Sequence, residues 1–300
     1  MLSSLEVSEQ TMWTEIAKQI SQVTGKSFEI QDRRSVGGGS INQSYAITDG
    51  TDTYFLKFNS ASEFEMFAAE AVGLKEMYET HTIRIPQPIC WGTTDQAAYI
   101  VMEWLEFGRG GGSEVWETMG KQLAQMHRKG VAEQFGWHRN NTIGSTPQIN
   151  TWMENWADFF AEHRIGYQVR LAKRRGGSYP DTQKVVEKVR DILADHHPQP
   201  SLVHGDLWGG NAAVTKAGEP VILDPATYYG DREVDIAMSE LFGGFPAAFY
   251  QGYNTAWELD AGYKERKELY NLYHILNHFN LFGGGYGSQA SRIIDRLMRD

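Results

Sequence analysis

A single cysteine, Cys90, stands in this chain of 300 residues, so no disulfide can form within it and a cysteine-built zinc site is excluded. Long apolar runs are missing as well. No stretch approaches the roughly 18 consecutive apolar residues that a bilayer-spanning helix needs. Positive charge is in deficit, with 28 Lys and Arg against 38 Asp and Glu and a net charge of −10. That argues against a protein that binds nucleic acid or anionic membrane generally, because both demand a basic surface. A small anionic ligand held by local groups is still allowed. The opening MLSSLEVSEQ carries Glu6 and Glu9 with neither a basic start nor an apolar run, so no secretory signal is expected and a soluble, cytoplasmic protein is. Apolar residues at 41% and aromatics at 12% exclude disorder for the bulk of the chain. The length suits one large domain or two small ones.

The pattern changes character along the chain. Met12, Trp13, Ile16, Ile20 and Val23 fall on one stripe of a helix over 8–24, with Gly25 as its stop. Between 27 and 58 the periodicity predicts three strands in an antiparallel meander with two tight connections, the first glycine-rich and the second a DGTD turn. A helix over 62–79 and two strands, PICWGT and AAYIVMEWL, follow. Gly108, Gly110, Gly111 and Gly112 then interrupt the pattern as a hinge. Beyond them come amphipathic segments over 113–130, 151–175 and 182–197, a strand-and-loop island at 200–226, and helices from about 235 onward. The expectation is an α+β chain in two lobes: 1–105, a small antiparallel sheet with a helix, and 106–300, larger and mainly helical.

The island carries the strongest chemistry: Leu202-Val203-His204-Gly205-Asp206-Leu207-Trp208-Gly209-Gly210-Asn211, then Val221-Ile222-Leu223-Asp224-Pro225. An Asp and an Asn five residues apart, with a second Asp thirteen beyond, is the spacing of a kinase catalytic loop and its metal-holding strand. Asp206 would orient the accepting hydroxyl, and Asn211 and Asp224 would hold magnesium through hard oxygen donors. The bland alternative is two unrelated turns with local hydrogen bonds. Upstream, Lys57 sits in the apolar strand Tyr54-Phe55-Leu56-Lys57-Phe58, either snorkelling from an edge or paired in a site. Glu70 is the partner favoured by its central place on one helix face, with Glu63 as fallback. Gly37, Gly38, Gly39 and Ser40 lie where a phosphate cover belongs, although the loop is not G-x-G-x-x-G. An adenine would meet the backbone around Glu103 and Leu105. Elsewhere, Gly283 to Gly285 reads as a helix-ending loop, Lys173 to Arg175 as a solvated helix C-terminus, His127 as a satisfied core histidine and Asp235 as an N-cap.

These elements together resemble the protein-kinase-like superfamily of small-molecule kinases, and within it the fructosamine kinase (ketosamine-3-kinase) family. The superfamily likeness rests on Lys57, Glu70, His204 to Asn211 and Asp224. The family likeness rests on HGDLWGGN, on Asp224-Pro225-Ala226 in place of D-F-G, on Gly230 to Met238, on 147–171, and on Leu281-Phe282-Gly283-Gly284. It covers about residues 12 to 298. The resemblance implies a bilobal kinase-like fold and transfer of the ATP γ-phosphate to O3 of the sugar in a ketosamine. The 3-phosphate then decomposes and frees the amine, a deglycation repair. It also implies Asp206 as the base, Asn211 and Asp224 on magnesium, and Lys57 with Glu70 positioning the phosphates. His204 and Asp235 would support the catalytic loop, Asp235 from below, and Trp208 would lie against the substrate sugar. Ser40 departs from the cysteine many members carry there, which puts thiol-based regulation in doubt. A kinase of the same architecture acting on an aminoglycoside or a choline-like alcohol, or a nucleotide-binding scaffold without turnover, is the competing reading.

Overall fold

The computed structural model describes residues 4–37 and 41–299. Five strands, β1 (Asp32–Ser35), β2 (Gln43–Thr48), β3 (Thr53–Ser60), β4 (Pro88–Thr93) and β5 (Ala97–Glu103), form one antiparallel sheet in the order β1-β2-β3-β5-β4. β5 is apolar on both faces because both are covered. Helix α1 (Ser4–Thr24) lays Met12, Trp13, Ile16, Ala17 and Ile20 against Phe28, Ile47, Leu56, Tyr99 and Val101. Helix α2 (Phe64–Glu79) brings Phe67, Leu74 and Met77 to the side that holds Ile100 and Met102. Each such large side chain contributes roughly 1.5–3 kcal/mol on burial. Val23, in the last turn of α1, departs from the expected stripe and is 53% exposed. The first connection, 36–42, is longer than a tight turn, since β1 ends at Ser35 and β2 begins only at Gln43.

The rest of the chain is mainly helical. It runs α3 (Ser113–Lys129), a hairpin of β6 (Asn141–Ile143) and β7 (Thr146–Gln148), α4 (Trp156–Phe159), a π-helical stretch Phe160–Gly166, α5 (Tyr167–Arg174) and α6 (Thr182–Leu193). Then come β8 (Ser201–Val203), β9 (Ala212–Val214), β10 (Pro220–Ile222), β11 (Tyr228–Gly230), α7 (Glu233–Leu241), α8 (Ala247–Ala256), α9 (Tyr263–Phe282) and α10 (Tyr286–Leu297). The helix expected from 151 starts at Trp156, where the Asn155 side chain accepts from the Asp158 N–H at 3.1 Å. Met153 before it pairs instead with Phe135. Helices α3 and α8 cross at backbone contact. A Cβ on Gly120 would lie 2.0 Å from the Phe249 carbonyl oxygen, and one on Gly252 2.0 Å from that of Glu117, so only glycine fits.

The apolar core does not divide at the glycine-rich connection. One buried cluster runs from Phe67, Leu74 and Met102 through Met119 and Leu123 to Leu202, Ile236 and Leu276. The connection itself is pinned: the Gly108 N–H donates to the Val214 carbonyl at 2.9 Å. No helix among the described residues is long and apolar enough to cross a membrane. This α+β, bilobal arrangement places a cleft of about 930 Å³ between the sheet and the helical part.

Candidate active site

Sheet, helix and island send their polar residues into this one cleft. Lys57 and Phe58 alternate across β3, and Lys57 points toward α2 and the helical part, where its ammonium is buried. Its Nζ donates to Glu70 Oε1 at 2.7 Å and also contacts Asp224 Oδ1. Of the two readings of Lys57, the paired one is what the structure displays, and Glu70 rather than Glu63 is the partner. Burial alone would lower the Lys57 pKa; the two carboxylates reverse that and raise it. Burial raises Glu70, only partly offset by Lys57 and reinforced by the negative charge of Asp224. Asp224 is pushed up by its surroundings, but the neighbouring ammonium prevails and holds it below the usual carboxylate range.

Asp224 follows β10 with φ of +52°, a conformation that costs a non-glycine residue energy and persists only where neighbours enforce it. Those neighbours are identifiable. His204 Nε2 lies 2.6 Å from the Leu223 carbonyl, so that nitrogen carries the proton and donates. His204 Nδ1 is then the acceptor for the Asp206 N–H at 3.2 Å. Burial lowers the His204 pKa, in keeping with a neutral ring. One imidazole thereby ties the loop of Asp206 to the strand of Asp224. The Ala226 N–H returns to the His204 carbonyl at 2.8 Å, and the two segments approach so closely that a Cβ on Gly205 (φ +82°) would lie 2.1 Å from the Ala226 oxygen.

Asp235 holds this loop from beneath. Its carboxylate accepts from the His204 N–H at 2.7 Å and the Gly205 N–H at 2.9 Å, and it meets His127 Nε2 at 2.9 Å. The expected N-cap role is corrected: α7 already begins at Glu233, so Asp235 lies inside its first turn and spends its oxygens on the loop at His204 and Gly205. Burial would raise its pKa, and these donors bring it below the usual value. His127 is the satisfied core histidine expected, its other nitrogen 2.8 Å from the Tyr253 hydroxyl. Asp206 is held up well above the ordinary carboxyl value by burial and by the Asp224 charge. Asn211 Nδ2 donates to the Asp206 backbone carbonyl at 2.8 Å and to Oδ2 at 3.2 Å, leaving its amide oxygen as the end available to a cation.

The remaining candidates distribute along the same cleft. Gly37, Glu103, Leu105 and Trp208 line it, while Gly38, Gly39 and Ser40 lie outside the described residues. The Glu103 side chain is held by Arg84 at 3.0 Å and by the Gln87 N–H, and its own N–H donates to the Gln87 carbonyl. Trp208 is 40% exposed, edge-on to Phe242. Sequence reasoning missed the β6–β7 hairpin, which supplies Asn141, Thr142, Ile143 and Gly144 to the wall. Its polar run NNTIGST between two apolar segments was the available signal. The other carboxylate–histidine cluster, His196 with Asp231 and Glu233, is internally satisfied by Tyr270 and Arg266.

The family model described as fructosamine kinase matches residues 12–300. A Synechocystis protein described as a ketoamine kinase is 58% identical over 295 residues, 98% of this chain and 100% of that one. An Arabidopsis thaliana protein named protein-ribulosamine 3-kinase, chloroplastic, is 44% identical over 92% of this chain and 85% of its own. Among solved structures, a Haemophilus somnus 129PT protein described as a fructosamine-3-kinase superposes with a TM-score of 0.92 at 32% identity, covering 97% of this chain and 99% of that one. An aminoglycoside phosphotransferase at 16% identity and a TM-score of 0.57 shares the fold.

Proposed function

The chain belongs to the fructosamine kinase family, and from that premise we propose that it transfers the γ-phosphoryl group of ATP to the sugar O3 of a ketosamine, with magnesium, as a deglycation step in the cytoplasm. The reading is carried by one observation: Lys57, Glu70, Asp206, Asn211 and Asp224 converge on a single cleft of about 930 Å³. Phosphoryl transfer asks mainly for positioning and charge stabilisation, and this is a set of residues that supplies both.

The donors suit magnesium. Asp224 and the Asn211 amide offer hard oxygens at the cleft, and a magnesium ion keeps waters and phosphate oxygens for its other positions. Bound there, the metal would neutralise charge on the β- and γ-phosphates. Lys57, oriented by Glu70, holds the phosphates from the sheet side. With the Glu103 N–H already engaged, the backbone donor for a purine falls to Leu105. Asp206 accepts the O3–H proton as the new O3–P bond forms and the bond from the γ-phosphorus to the β–γ bridging oxygen breaks. Its raised pKa makes it a stronger proton acceptor than a solvated carboxylate.

The acceptor end separates ketosamines from aminoglycosides. Among the described lining residues the carboxylates are Glu70, Glu103, Glu106, Asp206 and Asp224, all at the nucleotide side or the reaction centre. Beyond Asp206 the wall combines Trp208, Ile143, Leu281 and Phe282 with the uncharged amides and imidazoles of Asn141, Asn277, His274 and His278. Such a wall suits the ring and hydroxyls of a sugar bearing one amine, and it holds no carboxylate to pair with a polycation. Mass spectrometry for phosphate gain over a panel of fructosyl- and ribulosyl-lysine derivatives, with phosphorus NMR to place the ester, tests the reading. Phosphorylation of an aminoglycoside or choline with none of any ketosamine would overturn it.

A further inference from the structure

Arg164 is fully buried in the π-helical stretch, and among the described residues no carboxylate pairs with it. Its guanidinium instead lies over the rings of Tyr228 (4.0 Å), Phe159 (4.7 Å) and Tyr273 (5.7 Å) and donates to the Ile149 carbonyl at 2.6 Å and Asn150 Oδ1 at 2.7 Å. A charge kept inside at such desolvation cost orients whatever accepts from it. What accepts is the first member of a chain of carboxamides. Asn150 Nδ2 donates to Asn141 Oδ1 at 2.8 Å, and Gln148 Nε2 donates to the same oxygen at 2.9 Å. Asn141 and Gln148 are cross-strand partners of the β6–β7 hairpin, so their side chains share one face.

The chain ends on backbone just past Asp224. Gln148 Nε2 also donates to the Ala226 carbonyl at 3.0 Å, and Asn141 Nδ2 to the Thr227 carbonyl at 2.8 Å. Gln148 is fixed from behind, where the Tyr273 hydroxyl of α9 donates to its Oε1 at 2.7 Å. Gln148 is buried and does not line the cleft. We propose that Gln148, backed by Tyr273 and the Arg164–Asn150–Asn141 chain, is a positioning residue that locks the 224–227 segment so that Asp224 is presented to the metal in its left-handed conformation. His204 holds this segment on one side, at Leu223 and Ala226. The hairpin amides hold it on the other, at Ala226 and Thr227. A segment clamped on both sides has its carboxylate placed before the ligand arrives, so that nucleotide binding does not have to supply the ordering.

The inference rests on the reading of Asp224 as the metal ligand, and the test separates the two. Binding of the non-hydrolysable nucleotide AMP-PNP is titrated calorimetrically with magnesium and again with EDTA. The ratio of the two affinities reports metal presentation, whereas a general loss of stability moves both together. Gln148→Leu is expected to reduce the magnesium-dependent enhancement about three- to ten-fold, the weight of one hydrogen bond to a fixed carbonyl, with affinity in EDTA unchanged. Tyr273→Phe, which removes one hydroxyl and leaves the ring, is expected to act in the same direction more weakly and covers the case that Gln148→Leu fails to fold. If Asp224→Ala abolishes the enhancement while Gln148→Leu and Tyr273→Phe keep it at the wild-type value, the positioning role is refuted. If magnesium never enhances binding, or Asp224→Ala retains the enhancement, the metal reading fails and the inference with it.

Discussion

Replacing Lys57 by Met tests the charge arrangement of the cleft most directly. The variant leaves Glu70, 12% exposed, without its cation and faces it with Asp224, 53% exposed. Removing one partner of a buried pair costs about 3–5 kcal/mol, because the other charge stays uncompensated. Asp224 reaches solvent and is discounted, so the loss rests on Glu70 and is placed at the low end, about 3 kcal/mol. Adding Glu70→Gln removes that stranded charge and should restore more than half of the stability but none of the transfer activity. The pH dependence has a definite sign. Glu70 already has a folded-state pKa above its usual value, and without Lys57 it rises further. A carboxyl raised in this way destabilises the fold at high pH, and the deficit shrinks as pH falls through the raised value. Wild-type Lys57, itself raised, stays charged across this window and contributes evenly. Urea unfolding midpoints at about pH 8 and about pH 5.5 read both effects. Equal deficits at the two values, or a double variant no more stable than the single, would refute the reasoning.

Asp206→Asn should lower kcat by about 10²–10⁴-fold while magnesium–nucleotide affinity measured by calorimetry stays near wild type. Because Asp206 is raised, the acid limb of the kcat/KM profile should lie above the range of a solvated aspartate, activity falling as pH drops and the base takes up its proton, as a pH–rate series will read. Trp208→Ala should raise KM for the ketosamine more than it lowers kcat in steady-state assays. Asp235→Ala leaves the His204 and Gly205 N–H groups buried and unsatisfied at about 1–3 kcal/mol each, so denaturant midpoints and kcat should fall together.

Local signals made most of the fold and the residues that line the candidate site legible in the sequence. The spacing of His204, Asp206, Asn211 and Asp224 survives because those residues are near one another in the chain, between short apolar strands. The Lys57–Glu70 pair followed from helix periodicity, which puts Glu70 on the face that meets the sheet. What stayed hidden depends on contacts between distant segments. The hydrogen bonds of Asp235 come from residues 30 and 31 positions upstream, so local pattern alone read it as a cap and only the family resemblance set it beneath the loop. Gln148 and Asn141 have no periodic signature, and their partners at 226 and 227 are about 80 residues away. Val23 matched the helical stripe, but periodicity does not say which turns of a helix are covered.

Lys57 and Glu70 belong to the sheet side of the cleft and Asp224 to the helical side, so a single ammonium rivets the two halves. Swinging the halves apart would strip a buried cation of one of its two counter-charges. The Lys57 contacts on both sides of the cleft therefore favour its closed arrangement. A magnesium ion held by Asp224 and Asn211 would compete with Lys57 for the Asp224 carboxylate, so that metal binding and loosening of this contact would be coupled.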